Sequence, residues 1–431
     1  MNINEIYKKF ITECKGKIST DTRNIIPNSL FFALPGENYD GNKYAEQALK
    51  LGCRYAVVDG QSYVQNDSFL LVEDSMQALA QLAHHHRKQF DIPVLAITGS
   101  NGKTTTKELL ASILKTKKKI TVTNGNLNNH IGVPLTLLNI SNETEIAVIE
   151  MGANHVGEIA YLCEIAEPTH GIIINIGRSH LGEFGGFENV IRAKTELYRY
   201  LENHNGTSFI NGSDAMLLRE SNTLEKITYL SKDSDCVVDS EKTLPFISLM
   251  WNNFLINSHL TGEYNIMNIA AAISIGDYFG IDSVNIKKGI ESYVPKNNRS
   301  ELVETKNDNS IIKDYYNANR SSMELAIENI ANIKSEKKKV LILGDMFELG
   351  KYEMEEHSAI VEKIEEYNCF DNIFLIGEAF FVVPINNNIL KFKTTNNFID
   401  YLNDNKIKES FILMKASNGM NFEKLFNEIK H

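Results

Sequence analysis

A glycine turn between an apolar segment and a polar segment carries the clearest chemical signal in the chain. Residues 94–98 are largely apolar, like a buried strand; two glycines follow, and Lys103 and Thr104 open a helical segment. Backbone N–H groups in such a turn point toward phosphate oxygens, a lysine neutralises their charge, and a threonine hydroxyl can bind Mg²⁺. This order predicts a nucleotide phosphate loop. The competing interpretation is an ordinary strand-to-helix turn with a solvated lysine.

The spacing of the glycines is unusual. A common phosphate loop has a glycine five positions before Gly102, where this chain has Ile97. We therefore expect a shorter loop, in which Gly99 makes the turn. The residues expected to bind the nucleotide phosphates are consecutive: Gly99, Ser100, Asn101, Gly102, Lys103, Thr104 and Thr105.

Two further polar residues follow segments that resemble strands. Glu150 comes directly after residues 146–149, and His180 follows residues 171–176 after a short turn. The carboxyl ends of parallel strands form the ligand crevice of an α/β sheet, so both residues are expected beside the phosphate loop. A carboxylate and an imidazole there could hold Mg²⁺ against a transferring phosphoryl group. Alone, each reads as a polar loop residue, and it is their joint placement that favours a metal site.

Three blocks of secondary structure must position these residues. Residues 1–88 alternate short apolar strands with polar turns and predict a small α/β domain. Residues 89–296 alternate apolar strands with helices, as in a mostly parallel sheet, and Pro93 marks where they begin. Residues 297–431 repeat the alternation and resemble a dinucleotide-binding fold that lacks a G-x-G-x-x-G motif. The sequence thus predicts an α/β protein of three domains, with a central phosphate-loop sheet and a Rossmann-like C-terminal domain.

Hydrophobic patterns place the individual segments. We expect helices over residues 43–51, 75–89, 265–278, 321–333 and 353–367. We expect strands over residues 29–34, 55–58, 146–149, 171–176, 310–313, 339–343, 372–376 and 410–414.

Composition limits the classes of function. The chain has 431 residues, and its formal net charge of −11 argues against general nucleic-acid binding. Its five cysteines form no C-x-x-C pair, so neither a disulfide framework nor a zinc site is indicated. No segment approaches 18 consecutive apolar residues, and the first residues lack the pattern of an export signal. We expect a cytoplasmic protein with no nucleic-acid partner and no membrane insertion.

Several motifs together resemble the Mur ligase family. Four of them are general to the family and lie at residues 98–104, 150–153, 175–181 and 193–196. Others, at residues 21–23, 29–31, 314–319 and 344–350, are similar to the type that adds D-alanyl-D-alanine. The matching motifs run in order from about residue 20 to about residue 424 and fall in all three expected domains.

The resemblance implies an ATP-dependent amide ligase. It would join D-alanyl-D-alanine (D-Ala-D-Ala) to UDP-N-acetylmuramoyl-tripeptide (UDP-MurNAc-tripeptide) through an acyl phosphate, in the synthesis of the peptidoglycan precursor. The enzyme would thereby serve cell-wall biogenesis, cell shape and cell division. ATP and Mg²⁺ would be its cofactors, these two small molecules its partners, and we expect a monomer.

The resemblance also implies roles in catalysis and nucleotide binding. Lys103, His180 and Lys194 would be catalytic, with Thr104 and Glu150 binding one Mg²⁺ and His180 helping to bind a second. Lys194 would be carbamylated, which converts a cation into an anionic oxygen ligand, although by itself it reads as a solvated helical lysine. The resemblance further assigns an adenine contact to Asn268 and an ATP-phosphate contact to Arg299.

The substrate contacts implied by the resemblance lie in three segments. They are Asp21, Thr22, Arg23 and Ser29 for the UDP part, Asn126, Asn128 and Asn129 for the muramoyl part, and Asp314, Asn317 and Asn319 for D-Ala-D-Ala. Without the resemblance, these segments read as a turn with a surface ion pair, an asparagine-rich turn and a surface loop.

Four positions depart from the family pattern. Arg320 replaces the usual proline, so the loop could lose a rigid turn or gain a charge near substrate. Asn418 replaces an arginine, Asn28 a glycine and Asn42 a histidine. These departures concern substrate contacts more than phosphoryl transfer.

Two other readings remain open at this point. One is a sibling Mur ligase that adds a single amino acid, against which residues 314–319 argue. The other is a non-catalytic nucleotide-binding regulator, against which the complete set of candidate catalytic residues argues. The third residue of the peptide substrate, meso-diaminopimelate or lysine, is also open.

Overall fold

The structure is a computed structural model, and it describes residues 1–36, 38–231, 239–241, 245–385 and 388–430. It has the expected α/β architecture, with a parallel or mostly parallel sheet in each of three domains. Cys14, Cys53, Cys163 and Cys369 are free thiols, and Cys236 lies outside the described residues. Among the described helices, none is both long and apolar enough to cross a membrane.

The first domain is a small parallel sheet with helices around it. Its elements are α1 (Ile3–Thr12), β1 (Ile18–Ser19), β2 (Leu30–Phe32), α2 (Ala45–Lys50), β3 (Tyr55–Val58), β4 (Phe69–Leu71) and α3 (Ser75–Arg87). The strands lie in the order β1-β2-β3-β4, and each pair is parallel. The expected helices over 43–51 and 75–89 are confirmed, the first with a 3₁₀ turn at Gly41–Tyr44 before α2.

Helix α3 packs the first domain against the second. Nε2 of His86 donates a hydrogen bond of 2.8 Å to the carbonyl oxygen of Ile140, and Nε of Arg87 donates one of 3.0 Å to that of Ala166. Apolar residues of α3 belong to the same buried cluster as residues of the second domain. The two domains therefore share one core along this helix.

The second domain is built on a six-stranded, all-parallel sheet. Its first elements are β5 (Val94–Thr98), α4 (Lys103–Leu114), β6 (Ile120–Val122), α5 (Gly132–Leu137), β7 (Ile146–Glu150), α6 (Glu158–Ala166) and β8 (His170–Ile173). They are followed by α7 (Leu181–Phe184), α8 (Phe187–Lys194), α9 (Glu196–Asn203), β9 (Thr207–Asn211), α10 (Ala215–Glu220) and β10 (Glu225–Tyr229). The strand order is β10-β9-β8-β5-β7-β6, which makes β7 and β8 the two neighbours of β5.

A small antiparallel sheet, which the sequence analysis did not predict, follows in the second domain. It comprises β11 (Asp239–Glu241), β12 (Phe246–Trp251) and β13 (Phe254–Thr261). Asn252 and Asn253 join β12 to β13, and their φ angles of +46° and +63° suit a tight hairpin turn. The two asparagines between apolar segments are the sequence signal from which this hairpin could have been predicted. The domain ends with α11 (Asn265–Tyr278), whose bounds agree with the expectation, and α12 (Ser283–Ser292).

The third domain has a six-stranded sheet in the order β14-β15-β19-β16-β17-β18, in which only the β14 pairing is antiparallel. The strands are β14 (Glu301–Glu304), β15 (Ser310–Asp314), β16 (Lys338–Gly344), β17 (Asn372–Ile376), β18 (Ile389–Phe392) and β19 (Ser410–Lys415). The helices are α13 (Arg320–Asn332), α14 (Glu353–Glu365), α15 (Glu378–Val382), α16 (Thr395–Asp404) and α17 (Phe422–Ile429). Apolar clusters cover both faces of the sheet, as expected for a Rossmann-like domain.

Candidate active site

The phosphate loop has the expected strand, glycine turn and helix. Gly99 and Gly102 have φ angles of +142° and +81°, in the region that favours glycine, and α4 begins at the next residue, Lys103. A Cβ atom on Gly102 would lie 2.4 Å from Oδ1 of Asn268, which packs directly beneath the turn. The short loop therefore requires glycine at both positions.

The Lys103 side chain folds back over the loop. Its ammonium donates hydrogen bonds of 2.7 Å to the carbonyl oxygen of Gly99 and 3.1 Å to that of Ser100. Burial, with a smaller contribution from the charge of Arg299, lowers the pKa of Lys103 to about 8, although Glu150 acts in the opposite direction. The loop thus holds a desolvated cation within the turn, where a phosphate would bind.

Glu150 contacts several side chains at the base of the loop. Its Oε1 accepts hydrogen bonds from Oγ1 of Thr104 at 3.1 Å and from Nδ2 of Asn128 at 2.7 Å. Its Oε2 accepts no hydrogen bond from the described residues, although the ammonium of Lys107 lies 3.3 Å away as an ion pair. The structure thus brings together the two residues expected to bind the first Mg²⁺, with one buried carboxylate oxygen still able to accept a ligand.

The segment after β8 lies against the phosphate loop, as expected from its strand end. Oγ of Ser100 receives a hydrogen bond of 2.9 Å from the backbone N–H of Gly177 and lies 3.0 Å from Oγ of Ser179. The backbone N–H of Asn101 donates to Oδ1 of Asn175 at 3.0 Å. Strand β8 itself ends at Ile173, earlier than the expected residue 176, because the chain turns to make these contacts.

His180 contacts two carboxylates. Its φ is +51°, and its Nδ1 pairs with Glu348 of the third domain and lies 3.8 Å from Glu183. One ligand atom from each of these three residues lies within 4.8 Å of the others. The bond from His180 lowers the pKa of Glu348. Glu348 was not singled out from sequence, although it lies in the motif at residues 344–350.

Lys194 is buried at the end of α8. Its ammonium makes one hydrogen bond among the described residues, a long one of 3.4 Å to the carbonyl oxygen of Ala153. Burial, followed by the charge of Lys103, lowers the pKa of Lys194 to about 7, although Glu158 and Glu196 act in the opposite direction. The interpretation of Lys194 as a solvated helical lysine is therefore wrong, because the ammonium is desolvated and has no close counter-ion within the part of the chain that the structure describes.

The two residues assigned to the rest of the nucleotide lie on either side of the domain boundary. Asn268 is buried in α11, where its Oδ1 accepts a hydrogen bond of 3.2 Å from Thr106 and its Nδ2 donates one of 2.6 Å to Asn265. The guanidinium of Arg299 lies 3.5 Å from the centre of the Tyr316 ring. Arg299 also influences the pKa of Lys103, which places its charge close to the loop.

The third-domain segment assigned to D-Ala-D-Ala meets the phosphate loop. Nδ2 of Asn319 donates a hydrogen bond of 2.8 Å to Oδ1 of Asn101, and Asn319 also caps α13. Asp314 accepts a bond of 2.6 Å from the buried ammonium of Lys415. Asn317 is exposed and accepts a bond from the N–H of Ala318.

An ion pair between a partly exposed arginine and a buried glutamate, which the sequence analysis missed, joins the second and third domains. Nε and Nη2 of Arg178 lie 2.8 and 2.6 Å from Oε1 of Glu356, whose side chain is fully buried. Arg320, the departure from proline, is the first residue of α13 and pairs with Glu324 at 2.8 Å. The helix thus starts without a proline, and the added charge faces acidic side chains of the protein.

The residues of the first two domains that are assigned to substrate binding range from exposed to buried. Asp21 and Arg23 form an exposed ion pair of 2.6 Å that lowers the pKa of Asp21 to about 2, and Thr22 lies between them. Ser29 is buried, with its hydroxyl 2.8 Å from that of Ser19. In the loop before α5, Asn126 is exposed, Asn128 bonds to Glu150, and Asn129 accepts backbone bonds that start the helix.

A cavity of about 880 Å³ opens at the carboxyl edge of the third sheet. Asp345 and Gly377, which follow β16 and β17, line one part of it. Lys393, Thr394, Gly419 and Lys424 line the remainder together with other polar and apolar residues. Asp314 and Lys415 end the neighbouring strands β15 and β19, so the cavity and the Asp314 segment share one edge.

Comparison with known proteins finds Mur ligase domains along most of the chain. The Mur ligase middle domain matches residues 97–276, the Mur ligase glutamate ligase domain matches residues 298–391, and the catalytic domain of the Mur ligase family matches residues 17–87.

Relatives that align over nearly the whole chain belong to the same family. The UDP-N-acetylmuramoyl-tripeptide–D-alanyl-D-alanine ligase of Bacillus subtilis is 34% identical over 427 residues, which cover 96% of this chain and 92% of the relative. A crystal structure of MurF from Acinetobacter baumannii is 29% identical, covers 98% of each chain and has a TM-score of 0.86. MurF of Thermotoga maritima in complex with ADP is 26% identical, covers 96% of this chain and 97% of that one, and has a TM-score of 0.84. This chain belongs to the Mur ligase family, and within it to the MurF type.

Proposed function

We propose that this chain uses ATP to join D-Ala-D-Ala to UDP-MurNAc-tripeptide, in the synthesis of a peptidoglycan precursor. The observation that carries this conclusion is the hydrogen bond of 2.8 Å between Asn319 and Asn101. It sets the segment assigned to the acceptor dipeptide against the loop assigned to ATP phosphates. An amide ligase needs this proximity, because the acceptor amine must reach the carboxyl group that ATP has activated.

The reaction has two displacements. The terminal carboxylate of the tripeptide attacks the γ-phosphorus of ATP, which releases ADP and leaves an acyl phosphate. The amine of D-Ala-D-Ala, after losing a proton, then attacks the acyl carbon, and the tetrahedral intermediate expels phosphate. Negative charge collects on phosphoryl oxygens in the first displacement and on the carbonyl oxygen in the second, so fixed positive charge is the main catalytic requirement. Lys103 and Arg299 supply that charge.

The residues around Glu150 fit a magnesium ion. The set comprises a hydroxyl and a carboxylate, which are hard oxygen ligands, and Oε2 of Glu150 is buried without a hydrogen bond among the described residues. Thr104 and Glu150 would hold the first ion, and His180 would help to hold a second. Mg²⁺, when bound, offsets negative charge on the phosphoryl oxygens.

Lys194 would act as a carbamate. Its amine is buried, its pKa is lowered to about 7, and an uncharged amine is the form that reacts with carbon dioxide. The carbamate would place an anionic oxygen group in a region that also contains Lys103.

The three domains would divide the substrates. Residues 1–88 would bind UDP, with Asp21, Thr22, Arg23 and Ser29 near the nucleotide. Residues 89–296 would bind ATP, with Asn268 near adenine and Asn126, Asn128 and Asn129 near the muramoyl sugar. Residues 297–431 would bring D-Ala-D-Ala and Arg299 to the ATP site. The protein would work as a monomer in the cytoplasm, and its free thiols suit that reducing compartment.

The acceptor dipeptide would lie along the carboxyl edge of the third sheet. Asp314 is only 15% exposed and already pairs with Lys415, so an ammonium group would share its carboxylate. The cavity bounded by Asp345 and Gly377 continues along the same edge and has room for a dipeptide. Asn317 and Asn319 follow Asp314 in sequence, Asn319 bonds to Asn101 of the phosphate loop, and both would orient the amine.

The test is phosphate release by the purified protein with ATP, Mg²⁺ and UDP-MurNAc-tripeptide, followed by product mass. D-Ala-D-Ala and single amino acids are supplied in turn. Release that depends on D-Ala-D-Ala, with a pentapeptide product, supports the proposal. Dependence on a single amino acid would identify a sibling ligase instead, and no turnover with any acceptor would identify a nucleotide-binding regulator. Supplying tripeptides with meso-diaminopimelate or lysine determines the third residue.

A further inference from the structure

Lys107 is a buried lysine that the reaction above does not use. It lies on α4 one turn after Lys103 and three residues after Thr104, and its side chain is 2% exposed. Lysine is almost never fully buried unless it is paired. Residues three and four apart share one helix face, so Lys107 lies below the two residues assigned to phosphate and metal.

The ammonium of Lys107 connects three segments. It donates a hydrogen bond of 2.5 Å to the carbonyl oxygen of Gly125, and it lies 3.3 Å from Oε2 of Glu150. Gly125 belongs to the loop of residues 124–129, which we call the asparagine loop. Lys107 therefore joins the phosphate helix, the end of β7 and the asparagine loop in one contact.

A second contact holds the same loop to the same strand end. Nδ2 of Asn128 donates to Oε1 of Glu150 at 2.7 Å, and the carbonyl oxygen of Asn128 accepts a bond of 2.8 Å from the N–H of Gly152. The loop is thus attached to Glu150 twice, at Gly125 through Lys107 and at Asn128 directly. Asn126, between the two attachments, is exposed.

We propose that Lys107 is a positioning residue that fixes the asparagine loop against Glu150, so that substrate binding at the loop and the orientation of the metal ligand depend on each other. Lys107 touches neither substrate nor metal and acts through Gly125 and Glu150. The role of the loop toward the muramoyl group rests on the proposed function. The fixing of the loop by Lys107 does not.

The first test is amide hydrogen exchange without ligands in the wild type, Lys107→Met and Lys115→Met. Lys115 is the matched control, because it is an exposed lysine at the end of the same helix. The amides of Leu127, Asn128 and Gly152, which are hydrogen-bonded in the loop and at the strand end, should exchange about tenfold faster in Lys107→Met. Lys115→Met should match the wild type. Unchanged exchange in Lys107→Met would overturn the proposal.

The second test separates positioning from general damage. In Lys107→Met, KM for UDP-MurNAc-tripeptide should rise about tenfold while KM for ATP stays within about twofold, since the lost bond holds the sugar loop and not the phosphate turn. Calorimetric binding of UDP-MurNAc-tripeptide without ATP should weaken by the same factor. Lys107→Arg keeps a cation and donors and should recover most of the loop protection. Equal effects on both substrates would contradict the proposal.

Two further outcomes must be distinguished: a Lys107→Met variant that does not fold, and a failure of the proposed function. If Lys107→Met does not fold by circular dichroism, Lys107→Gln replaces it, with an expected change of about threefold because a neutral donor remains. If the wild type shows no turnover dependent on D-Ala-D-Ala, the proposed function fails. The hydrogen-exchange comparison still decides whether Lys107 holds the loop.

Discussion

Lys194 should take up carbon dioxide reversibly, and acid should reverse the uptake. The reaction joins the neutral amine to the carbon of CO₂ and releases one proton, so it depends on the fraction of Lys194 that is unprotonated. Burial is the largest cause of the lowered pKa, and the charge of Lys103 adds to it. The long bond to Ala153 is the one hydrogen bond that holds the ammonium among the described residues.

The size of the effect follows from the pKa of about 7, against an ordinary value of 10.5. At pH 7.5 roughly three quarters of Lys194 would be neutral, compared with about one in a thousand for an exposed lysine. At pH 6 the neutral fraction would be about one tenth. Between pH 7.5 and pH 6 the neutral fraction should therefore fall by about eightfold, and the proton that the reaction releases lowers the equilibrium ratio of carbamate to neutral amine by about a further thirtyfold at fixed CO₂. An ordinary lysine would give no comparable signal in this range.

The assay is carbon-13 NMR of the protein equilibrated with ¹³C-bicarbonate at constant dissolved CO₂. A carbamate signal should be present at pH 7.5, decline at pH 6 and be absent from Lys194→Met. Lys115→Met, with the same change at an exposed site, should keep the signal. Lys103→Met should keep it too, but need a higher pH, because removing the Lys103 charge raises the pKa of Lys194. A folded wild-type protein that shows no signal at pH 7.5 would refute the reasoning.

Lys103→Ala should reduce phosphate release at least a hundredfold, because the phosphoryl charge loses its fixed cation, and turnover that survives would exclude this role. Gly102→Ala should weaken ADP binding in calorimetry by about tenfold or more, since φ is +81° and the added Cβ would lie 2.4 Å from Oδ1 of Asn268. Adding Asn268→Ala should restore part of the stability lost in thermal unfolding, and no recovery would argue against that clash. Arg178→Met should open the second domain from the third, because the buried Glu356 would lose its close partner and be left with Arg320 at 3.9 Å, at a cost of about 3 kcal/mol. X-ray scattering should then show a larger radius of gyration than in the Arg178→Met, Glu356→Gln double variant, and equal radii would contradict the ion-pair explanation.

The contacts that sequence could predict are those fixed by neighbouring parallel strands. Strands β5 and β7 pair with Ile97 opposite Glu150, so the residue after β5 and the end of β7 must meet at one edge. The contact between Thr104 and Glu150 follows from this register and from the start of α4. The bond from the backbone N–H of Gly177 to Oγ of Ser100 follows in the same way from the pairing of β5 with β8.

Contacts between distant elements could not be predicted in this way. Lys107 follows Lys103 by one helical turn, and its sequence surroundings do not distinguish a solvated lysine from one that meets a loop. The pairing of Arg178 with Glu356 depends on how two domains meet, which no local pattern encodes. Glu348 reaches His180 across the same boundary.

One departure from the family pattern has a simple physical explanation. Asn28 stands where glycine is usual, and its φ is +61°. Asparagine adopts this left-handed conformation more readily than other residues with a side chain. The backbone shape that the glycine would provide is therefore kept, and this departure leaves the entry to β2 intact.

The active site contains three lysines, and each has a different electrostatic environment. Lys107 is balanced by Glu150, at 3.3 Å. Lys103 keeps a proton with the help of two loop carbonyls, and its pKa of about 8 leaves it mostly charged near neutral pH. Lys194 has neither a close carboxylate nor good acceptors among the described residues, and its pKa of about 7 lies below that of Lys103. Conversion of Lys194 to a carbamate would add a negative charge in the region that contains Lys103 and leave Lys103 as the cation for phosphate. An arrangement of this kind suits a divalent cation and a transferring phosphoryl group better than three lysines of equal charge would.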